Sequence, residues 1–119
     1  MAAACLEMLA GATILIAPDM VSLLLLGTKP EGAGLTLARF AAIALFALGI
    51  ACLPPKNSAA RHSAVRGLFV FYLGVAALLG GVGIATTLHG VLLWPAVTLH
   101  AVIAAALLPQ LLANPSSAP

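Results

Sequence analysis

The chain has 119 residues, 63% of them hydrophobic and 7% charged, and a formal net charge of +2. Soluble domains carry roughly 25% charged residues, and a nucleic-acid binder needs clustered Lys and Arg to displace counterions, so the composition excludes both classes. Mean hydropathy is +1.18 and no Asp, Glu, Lys or Arg follows Arg66, which fits a chain whose solvent is the lipid bilayer.

A spanning helix takes roughly 20 apolar residues. The expected fold is therefore all-α: a polytopic membrane protein, a four-transmembrane-helix up-down bundle forming one domain over residues 1–113. A polar tail follows at 114–119. The first apolar segment runs from about Ala2 to Leu26 and is interrupted at Pro18, which lacks the N–H that a continuous helix needs. Two forms stay open there: one kinked span, or a short span to Ala17 followed by a half-helix. The lack of a basic stretch before it reads as a retained span rather than a removed signal. Residues 27–32 form a loop. The second span covers about Gly34 to Leu53, stopped by Pro54-Pro55. A third runs from about Ala59 to Leu88, long enough to tilt or project into the headgroups. His89-Gly90 reads as a minimal turn. The fourth, about Val91 to Ala113, carries Trp94 where an interfacial indole commonly sits. Short links make sequential spans antiparallel.

The positive-inside rule gives the orientation. Lys56, Arg61 and Arg66 fall on the side of the N-terminus, Lys29 and Arg39 on the other. Both termini are then expected in the cytoplasm, in a cell inner membrane, with Cys5 and Cys52 near the reducing side.

Helices in lipid associate through close backbone approach and interhelical polar contacts. Gly67, Gly74 and Gly81 recur every seven residues and are expected to form a packing seam on the third span. Ala3, Ala4, Glu7, Ala10 and Gly11 share one face of the first. Ionisable groups inside a bilayer are costly and call for partners. By matching depth, Glu7 is expected to pair with Arg66, and Asp19 with Arg39. The sharper reading gives Glu7 a proton to exchange during transport. His100, between Ala96 and Ala104, is a candidate axial ligand for a haem or chlorophyll metal, although a hydrogen-bonded structural histidine is the simpler reading. His62 and His89 lie near the interfaces and supply no second ligand at its depth. No cysteine, histidine or carboxylate spacing marks a metal site, and no catalytic grouping appears.

The Gly34-Leu35-Thr36-Leu37-Ala38-Arg39 stretch, continuing through Gly49-Ile50-Ala51-Cys52-Leu53 after the Ala17-Pro18 break, resembles small four-helix bacterial membrane proteins, loosely DoxX-like. That resemblance implies an accessory role, some such proteins being small subunits of quinone-linked membrane oxidoreductases. Length, a first-span carboxylate (Glu7) and Gly81-Val82-Gly83 also resemble the small multidrug resistance transporters. This implies a dimer around Glu7 that binds protons or cationic drugs. The chain departs from that pattern in its few aromatic residues.

The expected function is a structural or accessory subunit and not an enzyme. It would pack against the lipid bilayer and against other integral membrane proteins or copies of itself. A proton-coupled transporter built on Glu7 is the alternative, and a pigment- or haem-bearing subunit ligated at His100 the third.

Overall fold

Long Leu, Ala and Val runs punctuated by proline and glycine favour helix, the form in which an apolar segment satisfies its own backbone. A computed structural model describes residues 2–53 and 58–112, except for the side chains of residues 58 and 59. Lys56, the Pro54-Pro55 stop, Ala113 and the tail at 114–119 lie outside the described residues. The elements are α1 (Ala2–Ile16), α2 (Pro18–Leu26), α3 (Ala33–Ala51), α4 (Ser58–Ala85) and α5 (Leu93–Leu112). Three of them (α3, α4 and α5) are each long and apolar enough to cross a membrane. At 1.5 Å per residue α3 and α5 reach about 30 Å and α4 about 40 Å, whereas α1 alone reaches only about 22 Å. It meets the requirement only together with α2.

Pro18 decides the first segment. The chain bends by 108° between α1 and α2, so α2 does not continue the axis of α1 and the half-helix form is the one adopted. Ala17 caps the new helix with Pro18 at its start and Asp19 in its first turn. There the missing N–H is harmless and the carboxylate meets the positive end of the dipole. The helix ends at Gly27, whose φ of 73° is left-handed and whose N–H donates to the Leu23 carbonyl at 2.9 Å. Only glycine adopts that conformation without a Cβ penalty.

Two antiparallel hairpins follow, α1 against α3 and α4 against α5, with α2 touching α1, α3 and α5. The first hairpin is held by small residues. A Cβ added at Gly11 would stand 2.6 Å from the Ala42 carbonyl oxygen, and one at Gly49 would stand 2.8 Å from the Ala4 oxygen. Ala4 and Ala42 are themselves buried. In the second hairpin Gly83 lies beneath Leu93 and Trp94. The hairpins meet at one end, where Leu68, Tyr72, Ala104 and Leu107 pack with Ala3, Leu48 and Cys52.

The glycine seam of α4 is elsewhere. Gly67, Gly74 and Gly81 are exposed, and a Cβ on any of them would meet open space. A seven-residue spacing marks one helix face, but it does not say whether that face meets protein or lipid. The α4–α5 link is also longer than a minimal turn. Residues 86–92 lie outside helix because they dock on α2: the Gly90 N–H donates to Leu25 O at 3.0 Å and the Leu92 N–H to Leu24 O at 2.8 Å.

Candidate functional site

Beyond their contact end the hairpins separate, and a cavity of about 540 Å³ opens between them with walls from all five helices. Its lining is apolar apart from Glu7, Thr13 and His100. Thr13 spends its hydroxyl on its own helix, donating to Leu9 O at 2.7 Å. A second cavity of about 370 Å³ adjoins beside α2 and shares Thr13, Val21, Leu25, Ala96 and Leu99 with the first.

Glu7 sits at the cavity wall with 2% of its surface exposed. The small residues Ala4 and Gly11 on the same helix face draw α3 close and bury the carboxyl between the hairpins. The groups that act on it are the Tyr72 hydroxyl on α4 and the His100 ring on α5, with Cys52 at the end of α3 also within its electrostatic reach. Tyr72 is completely buried. Its hydroxyl lies against the Glu7 carboxyl without forming a hydrogen bond of proper geometry, so the oxygen is shielded from solvent and lacks a partner. His100 places Nδ1 at 2.7 Å from Ala96 O. A carbonyl oxygen only accepts, so Nδ1 carries the proton of that bond. The Phe71 and Tyr72 rings stand 6.4 and 5.5 Å from the imidazole, and 5.5 Å from each other.

The expected pairs do not form. Among the described residues no carboxylate oxygen lies within 4.0 Å of a Lys, Arg or His nitrogen. Arg66, Asp19 and Arg39 are all exposed. Asp19 serves the first turn of α2. Matching depth was a sound necessary condition, but it carries no information about the direction each side chain takes around its helix.

His100 therefore belongs to a polar cluster with Glu7 and Tyr72. For a pigment or haem its Nδ1–H to carbonyl bond is the orientation an axial histidine uses. The adjacent carboxyl and hydroxyl, however, are those of a hydrogen-bonding site. Neither His62 nor His89 lines the cavity, and no group of three potential metal ligands occurs among the described residues.

Sequence reasoning passed over Tyr72 and Phe71. The available signal was that Tyr72 is the single tyrosine of the chain and stands in the middle of an apolar span, where a buried hydroxyl requires a partner. No family model, curated protein or solved structure matches the chain. The site therefore has to be read from its own chemistry.

Proposed function

We propose that this is a proton-coupled small-molecule transporter, with a lipophilic ligand held between the two hairpins and Glu7 as the group that takes up and releases the proton. The observation that carries this reading is a buried carboxyl on the wall of an apolar cavity with no Lys, Arg or His nitrogen within 4.0 Å of it among the described residues. An uncompensated carboxylate in such surroundings is costly. Two things relieve the cost, a proton on the carboxyl or a positive charge entering the cavity, and each excludes the other. That exclusion is what couples ligand to proton. The cavity volume lies within the roughly 300–1,000 Å³ of small-molecule sites. In this reading α1 with α2 supplies the fourth membrane crossing of a four-helix arrangement. The protein lies in a bacterial inner membrane with both termini cytoplasmic.

The test is accumulation of a fluorescent lipophilic cation in cells expressing the chain. Wild type should lower accumulation, and Glu7→Gln or a protonophore should each abolish the difference. Equal accumulation in all cases overturns the transporter reading.

A second reading, the accessory subunit, is favoured by the outward seam of Gly67, Gly74 and Gly81, on which a helix of another membrane protein could pack closely. Gentle purification separates the readings: a stoichiometric partner supports the subunit, and a Soret or Qy absorption band would return His100 to pigment ligation. For orientation, Cys5 is exposed and Cys52 half-buried. A membrane-impermeant thiol reagent added outside intact cells should label neither, and labelling from outside would invert the topology.

A further inference from the structure

A helix of nine residues is too short to persist without tertiary support, and among the described residues Pro18 is the one residue of α2 that is buried. Yet α2 walls both cavities: Val21 and Leu25 line the two of them, and Met20 and Leu24 line the second. The hairpins are held by side-chain packing at the end where Leu68, Tyr72 and Leu107 meet Ala3 and Leu48. At the opposite end it is α2 that joins them, resting on α5 and on residues 90–92. We propose that α2 is a hinged gate, jointed at Pro18 and latched on the α4–α5 link, through which the Glu7 cavity communicates with the aqueous phase at that end.

The latch is backbone on backbone. The last four carbonyls of a helix lack intrahelical donors. Here the Gly27 N–H serves Leu23, while the N–H groups of Gly90 and Leu92 serve Leu25 and Leu24 at 3.0 and 2.8 Å. The surfaces fit because two side chains are missing. A Cβ on Gly27 would stand 2.6 Å from the His89 oxygen, and one on Gly90 would stand 2.6 Å from the Leu25 carbonyl carbon. At the joint, Pro18 brings no N–H with which to extend the hydrogen bonding of α1. Ala17 leaves the helical region at φ −134° and ψ 61°, and the axis turns by 108°. Rotation about residues 17 and 18 moves α2 while the close contacts of α1 with α3 at Gly11 and Gly49 stay in place.

Solvent sets the direction of opening. Released into lipid, the Leu24 and Leu25 carbonyls and the two N–H groups would have nothing to replace their partners. Water replaces them at small net cost. The latch therefore yields where water can enter, at the membrane surface, and holds against the bilayer. Gating elements come from the least stable parts of a fold, and a short helix with one buried residue is such a part. Access is controlled in this way whatever the cavity holds.

The test is the rate at which a water-soluble maleimide modifies Ala96→Cys, on the α5 wall shared by both cavities. The full chain is used in lipid nanodiscs, with Cys5→Ser and Cys52→Ser removing the natural thiols. Modification should be at least about tenfold faster with Gly90→Val, whose side chain cannot fit against Leu24 and Leu25, the shift in open population that two lost hydrogen bonds produce. Gly74→Val, in open space, should change nothing. A folded Gly90→Val variant that reacts no faster than its parent overturns the gate. Hydrogen exchange on the unmodified chain decides without any variant. The Gly90 and Leu92 amides should exchange together, at least about tenfold faster than amides inside α3 and α5. Protection equal to that of the helix interiors also overturns the gate. No ligand enters either measurement, so the role of Glu7 stands or falls separately.

Discussion

Glu7→Gln is expected to lower affinity for a cationic ligand by about 30-fold or more while leaving the fold as stable as before. The affinity loss follows from removing one partner of a desolvated charge pair, which costs about 2–5 kcal/mol, at about 1.4 kcal/mol per factor of ten. The stability expectation follows from the partners Glu7 has. Breaking a buried ion pair costs about 3–5 kcal/mol because the other charge is stranded. Here no cation is within 4.0 Å among the described residues, so the amide strands nothing and fills the same space. Thermal unfolding in detergent gives the stability side and ligand titration the other. A large fall in melting temperature on Glu7→Gln, recovered by adding Arg66→Gln, would restore the structural ion pair and remove the exchange site.

The second large effect is expected at Gly11. Gly11→Leu should destabilise the chain by about 3 kcal/mol, the upper part of the usual range for overpacking. A Cβ there already falls 2.6 Å from the Ala42 oxygen and 2.7 Å from the Phe46 nitrogen. Both are backbone atoms that cannot rotate away, so α1 and α3 must part. Gly74→Leu, with open space at the same position, should change stability by no more than about 0.5 kcal/mol. Denaturant titration of the two variants in parallel checks the pair. Equal losses would place the α4 seam inside the fold, against the structure.

Much of the architecture was readable because proline and glycine punctuate it. Pro18, Gly27 and the Lys29-Pro30 loop mark where helices stop for backbone reasons that need no tertiary context. The Ala4, Glu7, Gly11 face was also legible, since small residues at spacings of three and four around a carboxyl indicate close approach. The outward direction of Gly67, Gly74 and Gly81 was not. In a soluble protein polarity separates the inner from the outer face of a helix, but in lipid both faces are apolar. The polar cluster, of which Glu7 and His100 line the cavity and Tyr72 lies buried beside them, was hidden for a related reason. Glu7, Tyr72 and His100 come from three helices, and depth along each axis says nothing about rotation around it. The 108° turn into α2 could be expected as a break at Pro18, but its direction depends on the docking of Leu24 and Leu25 against residues 90–92.

The central claim is that Glu7 exchanges a proton for a cationic ligand, and proton counting tests it most directly. Decylammonium is titrated into the chain in weakly buffered nanodiscs, with a pH indicator following the protons released across the range around neutrality. Release that tracks occupancy in wild type and vanishes in Glu7→Gln is the predicted result. Tight binding that releases no proton at any pH and survives Glu7→Gln would contradict it.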